Sequence, residues 1–322
     1  MKNNTSKGYE NAHLDIPGNP STAKSSVLQL NQRKNNEPLN LLTEEEWAHW
    51  QHHGYVVIKS AVSKEQAQTT ADFLWEFEDK DPNDSTTWYT QARAEMKMKE
   101  LAGTGMVEVY NHQSLWNNRQ EEKVYRAFTD VWGTQKLWVT IDRANLNFPI
   151  QPGFEYKGFI HWDYDPETKP QNVQGVLALA DQTDINMGGF QCIPWLYRHY
   201  DEWKKTQPED RDRFKPDIRG LEDKLVKVRL EAGDLLIFNS TLPHGIRPNR
   251  SERKVRIAQY ISMMPAEEDN EALKTWRVNS WKHRIAPEGY AFPGDPRNWE
   301  QTKYSTAELT PLGEKLLGLN SW

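Results

Sequence analysis

Near residue 137 the spacing of apolar side chains changes from helical to every second position, and it keeps that form to about residue 264. Such alternation turns one face of an extended segment toward a core and the other toward solvent or a cavity. Residues 137–147, 158–163, 173–180, 189–194, 227–230, 234–238 and 256–263 all carry it. Each is short and bounded by turn residues, as strands are. Helical patterns precede them, so the expected fold is mainly β with flanking helices (α+β), a β-sandwich or jelly roll.

The helical flank spans about 41–135. Thr43 and Glu46 form a capping-box pattern, and Gly54 ends the helix that follows. Tyr55 to Ile58 is a short β-rich run, Ser63 opens a second helix through Phe77, and residues 121–132 place Val124, Phe128, Val131 and Trp132 on one helical face. The core is about 136–264. A charged stretch at about 196–225 interrupts it, an insertion expected over one end of the sheet. Residues 265–322 form a C-terminal extension with one short helix at 311–317. Residues 1–40 are polar, without an apolar signal core, and read as a flexible arm; residues 41–322 read as a single domain.

Composition excludes several classes. A net charge of -6 argues against a nucleic-acid backbone as partner. No apolar run is long enough to span a membrane. The lone Cys192 excludes an intrachain disulfide and a cysteine-based zinc site, and a reducing, cytoplasmic compartment is expected. A small-molecule substrate is the expected partner.

His161 and Asp163 flank Trp162 in one extended segment, so their side chains share a face and can converge on one ion. His244 follows the strand at 234–238 and sits where a sheet edge meets a loop. Two imidazoles and one carboxylate are the ligand set of non-haem Fe(II) with open positions, although Zn, Mn, Co and Ni accept the same donors. His-X-Asp also arises by chance; strand placement, the run before His244 and a later arginine favour ligation. His52 and His53 are read as helix C-terminal partners. His13, His49, His199 and His283 are read as surface residues.

Arg256 opens a strand face shared with Ala258, Tyr260 and Ser262. A buried arginine needs a carboxylate, which it grips in a planar two-bond geometry. The distal carboxylate of 2-oxoglutarate suits it; Arg253 is the competitor. Arg143, Asn145 and Asn147 alternate on one face, toward either solvent or a cavity. If they face inward, Asn147 can bond the co-substrate's metal-proximal carboxylate, and Gln174 can do the same. Met106, Glu108, Tyr110 and His112, with Trp116 and Arg119, form either a wall of the substrate pocket or ordinary core. Glu108, His112, Arg119 and Trp162 are the pocket candidates. Arg198, Lys204, Lys205, Arg211 and Arg213 are interleaved with acids and read as a solvated face.

These residues resemble the phytanoyl-CoA dioxygenase family of Fe(II)/2-oxoglutarate oxygenases from about residue 42 to 264. The likeness lies in the opening Leu42-Thr43-Glu44 helix and Gly54-Tyr55-Val56-Val57 strand, in His161-Trp162-Asp163, in residues 233–238 through His244-Gly245, and in Pro248-Asn249-Arg250-Ser251 followed by Arg256. The resemblance implies a double-stranded β-helix (jelly roll, cupin-like) with the metal near its open end. It implies Fe(II), 2-oxoglutarate and O2, with succinate and CO2 formed as an unactivated C–H bond is hydroxylated. One departure is Pro194 to His199, where the family often carries Gly-Ser-His. Related halogenases lack the metal carboxylate, so Asp163 argues against halogenation. The alternatives are a cupin-type isomerase, which has no need of Arg256, and a non-catalytic binding protein, which has no need of an intact triad.

Overall fold

The computed structural model describes residues 29–33, 38–89, 105–169, 171–287 and 294–322. Most of the expected arm lies outside the described residues. In chain order the elements begin with α1 (Glu44–His53), β1 (Tyr55–Ile58), α2 (Lys64–Phe77), β2 (Met106–Val107), α3 (Gln113–Arg119) and α4 (Glu122–Trp132). Then come β3 (Leu137–Val139), β4 (Ala144–Asn147), β5 (Val173–Ala178), β6 (Met187–Cys192), α5 (Pro194–Arg198), α6 (Tyr200–Lys204) and β7 (Val226–Lys227). The chain continues through β8 (Leu235–Asn239), β9 (His244–Asn249), β10 (Arg256–Tyr260) and β11 (Met263–Pro265). It ends with α7 (Glu271–His283), α8 (Trp299–Lys303) and α9 (Pro311–Leu317).

The strands form a six-stranded sheet in the order β1-β8-β5-β10-β4-β2, a three-stranded sheet β7-β6-β9 and a small β11-β3 pair. Among the described residues the strands pair antiparallel. Strand alternation then sorts the core into two layers. Leu235, Ile237, Leu177 and Ile257 face the helices, in a cluster with Leu74, Phe77, Val124 and Phe128. Leu236, Phe238, Val176 and Ala258 face the other way and meet Phe190 and Cys192 of the smaller sheet. The functional side chains project from this second, inward face.

Local signals place the flanking helices. Thr43 and Glu46 close the expected capping box on α1, and Gly54 ends it in the left-handed region at φ 74°. Asp130 of α4 pins the entry to α1: its carboxylate accepts N–H bonds from Asn40, Leu41 and Leu42 at 2.7, 2.8 and 2.8 Å. Asp130→Ala strands these donors, at a cost of about 3 kcal/mol. A lowered urea midpoint with an unchanged m-value is the expected readout.

Four expectations are corrected. Residues 137–147 are two strands in different sheets, because the chain crosses over at Thr140–Arg143, where Thr140 N–H bonds Ser262 O at 2.8 Å. Residues 158–163 form no strand; His161 alone makes a bridge, to His244. His244 sits where a sheet edge meets a loop, as expected, but it opens a strand, β9, that was not expected. That strand was hidden because its Gly, Pro and Asn mimic a turn, and as an edge strand it tolerates Pro248. Finally, α7 was missed because its buried stripe is Leu273, Arg277 and Ser280, which carries little apolar signal. The short helix at 311–317 stands as α9, and the insertion begins within α5 and contains α6.

Candidate metal centre

The segment carrying His161 is held on both sides. Its N–H bonds His244 O at 2.8 Å, and His244 N–H returns a bond to His161 O at 2.9 Å. The approach is so close that a Cβ on Gly245 would stand 1.8 Å from Phe159 O, so only glycine fits there. On the other side Trp162 is fully buried among Tyr200 and Trp203 of the insertion. Its backbone N–H bonds Phe214 O and its indole N–H bonds Thr241 O, at 2.8 and 2.9 Å. The turn after Asp163 is clamped as well: Glu167 pairs with Lys204 and Arg211, and Asp165 with Arg213.

Both imidazoles are oriented by backbone carbonyls. Nδ1–H of His161 donates to His244 O, and Nδ1–H of His244 donates to Leu242 O, each at 3.0 Å. This turns each Nε2 toward Asp163, where the neutral imidazole can offer its lone pair to an ion. The two Nε2 atoms lie 3.0 and 3.4 Å from the Asp163 oxygens. Ligand atoms of His161, Asp163 and His244 all fall within 4.8 Å of one another, near enough to share an ion. Burial alone pushes the Asp163 carboxyl up, but the His161 and His244 imidazoles outweigh it and hold the group well below the usual carboxylate range. Phe190 and Phe238 pack on the His244 ring from the core side. A divalent ion fits this donor set.

Arg256 is wholly buried on the same inward face as Ala258. Nη1 donates to Asn145 Oδ1 at 2.8 Å and Nε to Gln182 Oε1 at 3.3 Å, while Nη2 has no partner among the described residues. Opposite it in the β10–β4 register stands Asn147, whose Oδ1 is also buried and unpartnered. Asn145 and Asn147 therefore face inward. A planar dianion with a distal carboxylate fits the free guanidinium edge.

Residues 50–258 match the family model described as Phytanoyl-CoA dioxygenase (PhyH). The chain belongs to the phytanoyl-CoA dioxygenase family. A Dictyostelium discoideum protein provisionally named a phytanoyl-CoA dioxygenase is 23% identical over 84% of this chain and 86% of its own length. Hypothetical protein JW0805 from Escherichia coli shares the fold with a TM-score of 0.62, at 20% identity, covering 86% of this chain and 82% of that one. GIG2, the GlcNAc-inducible gene 2 protein of Candida albicans, superposes with a TM-score of 0.62 at 13% identity, over 99% of this chain and 83% of that one. Among the described residues no helix is long and apolar enough to cross a membrane.

Within this family frame the remaining expected residues separate. Gln174 donates from Nε2 to Asp163 Oδ2, so it braces the carboxylate ligand. Gln174→Ala is expected to weaken Fe(II) affinity by about 10-fold, the scale for outer partners of a ligand, read by competition with a calibrated chelator. Glu108 is paired with Arg143 at 3.0 Å and accepts from the Tyr110 hydroxyl. His112 caps α3, stacks on Phe73 at 3.5 Å, and is pulled down to about 4 by burial. Arg119 is fully buried, bonding Tyr110 O and Asp142 O. Trp162 points into its own aromatic cluster. The structure thus brings His161, Asp163 and His244 together, sets Asn147 opposite Arg256, and gives Glu108, His112, Arg119 and Trp162 contacts within the packed interior.

Sequence reasoning passed over Phe159, Gln182 and Arg247. The Phe159 ring stands 4.8 Å from that of His161 and is 45% exposed at the centre. Its place two residues before His161 was the available signal. Gln182 sits in an isolated bridge with Leu230, which periodicity cannot show.

Proposed function

We propose that this chain is an Fe(II)- and 2-oxoglutarate-dependent dioxygenase that hydroxylates an unactivated C–H bond of a small molecule, on a double-stranded β-helix. The strand order supports the scaffold. From β4 onward the chain alternates between the larger and smaller sheets: β4, the His161 bridge, β5, then β6 with β7, β8, β9 and β10. The observation that carries the function is the unpartnered Nη2 of buried Arg256, on the inward face that also holds the metal triad.

His161, Asp163 and His244 would hold Fe(II), leaving cis positions open. With 2-oxoglutarate bound, the metal supplies O2 activation coupled to formation of succinate and CO2. Arg256 would take the distal carboxylate in a two-bond clasp, and Asn145 and Gln182 fix its plane. Gln174 holds the outer oxygen of Asp163. Phe190 and Phe238 keep water from the core side of His244. An isomerase on this scaffold would leave Arg256 without a purpose.

Anaerobic addition of 2-oxoglutarate to the Fe(II)-loaded protein is expected to give a weak visible charge-transfer band. A fully metallated sample without that band contradicts the assignment. Succinate release across a panel of small-molecule acceptors then identifies the substrate.

A further inference from the structure

Close to Arg256 lies a second buried arginine that the proposed chemistry has not used. Arg247 of β9 is 2% exposed. Its Nη1 donates to Phe190 O at 2.8 Å and to Val228 O at 3.0 Å, and its Nη2 reaches Gln182 O at 3.5 Å. Gln182 therefore touches both guanidiniums: its side-chain oxygen takes Arg256 Nε and its carbonyl takes Arg247. The side-chain amide of Gln182 also bonds Ile257 O, beside Arg256, at 3.3 Å.

The backbone is shaped to admit this group. Gly189, opposite Arg247 in the β6–β9 register, has φ 108°, and a Cβ there would stand 2.8 Å from Arg247 Nη2. A Cβ on Gly188 would stand 3.0 Å from the unpartnered Asn147 Oδ1. The Gly188-Gly189 pair thus opens room on one side for Asn147 and on the other for a guanidinium.

No carboxylate stands within ion-pair distance of Arg247 or Arg256 among the described residues; their hydrogen-bond partners are neutral. Among other buried guanidiniums, Arg143 meets Glu108 and Arg297 meets Asp295, whereas Arg277, like Arg247, bonds backbone carbonyls. Burial first, then Arg256 and Arg229, pull Arg247 down to about 10, against a weaker opposing pull from Asp184. Two like charges set together out of water are costly unless an anion joins them.

We propose that Arg247 is a positioning residue for the co-substrate: through Gln182 it sets the plane of Arg256, and its charge makes the buried end of the cavity selective for a distal carboxylate. The inference rests on the 2-oxoglutarate reading. It goes further in assigning Arg247 and the double glycine to recognition of the end remote from the metal.

The test is anaerobic titration of the Fe(II)-loaded protein, followed by the charge-transfer band, with two chelating probes. 2-Oxoglutarate carries the distal carboxylate; 2-oxobutyrate has the same chelating end and lacks it. Arg247→Met is expected to weaken 2-oxoglutarate by about 10-fold, the scale for an outer partner, and to leave 2-oxobutyrate and Fe(II) affinities unchanged. A purely structural role would weaken both probes together, and that result overturns the proposal, as does unchanged 2-oxoglutarate affinity in the folded variant. Arg247→Gln, which removes the charge and keeps an N–H donor, carries the same comparison where Arg247→Met does not fold. A wild-type protein that shows no band with either probe overturns the underlying reading and this proposal with it. A wild-type band with no selective loss in the variants overturns this proposal alone.

Discussion

Asp163→Ala is expected to abolish turnover while leaving the fold intact. The carboxylate is the only anionic member of the triad, and its two oxygens face both imidazoles at 3.0 and 3.4 Å. Outer partners of a ligand are worth about 10–100-fold in affinity or activity, so loss of the ligand itself should exceed that range. The expected outcome is Fe(II) binding weakened by more than about 100-fold and no succinate above background. The two Nδ1 bonds to backbone carbonyls do not depend on Asp163, so the far- and near-UV spectra should match wild type. Near-normal turnover in this variant would remove the metal triad from the chemistry.

Arg256→Ala has the second largest expected effect, and it falls on the co-substrate. Removing one partner of a buried charged pair costs about 2–5 kcal/mol, which corresponds to about 30-fold or more in the dissociation constant of 2-oxoglutarate. Fe(II) affinity should hardly move, because Arg256 makes its hydrogen bonds to Asn145 and Gln182 and none to a ligand. The checking measurement is the 2-oxoglutarate dependence of succinate release, with the metal saturating. An unchanged requirement would leave the guanidinium as a structural group and shift the anchor elsewhere.

The triad and Arg256 were legible in the sequence because each lies in a local pattern whose chemistry is specific. His161 and Asp163 are two apart in an extended segment, and Arg256 opens a β-rich run. Asn147 could be read only conditionally, since a polar strand face points to water or to a cavity with equal ease; its register opposite buried Arg256 turns it inward. Gln174 was read as a co-substrate contact, and alternation could not show that its amide bonds Asp163. The wall expected from Glu108, His112 and Arg119 met a related difficulty. Buried polar residues have the same spacing whether they line a cavity or bond the backbone, and here they bond their neighbours. Arg247 stayed hidden because its strand looks like a turn.

The far end of the chain bears on how this protein can be trimmed. Arg277 of α7 reaches Val139 O at 2.5 Å and Leu316 O and Leu317 O at 2.9 Å, all within hydrogen-bond range. Glu300 of α8 accepts the backbone N–H groups of Tyr110 and Asn111, and the Trp322 indole bonds Leu137 O. A shortened expression clone cut at the family-model boundary of residue 258 would strip these caps from β3 and from the approach to α3. Such a fragment would expose Leu137, Val139 and Trp138 to water and is expected to precipitate, however complete its iron-binding signature.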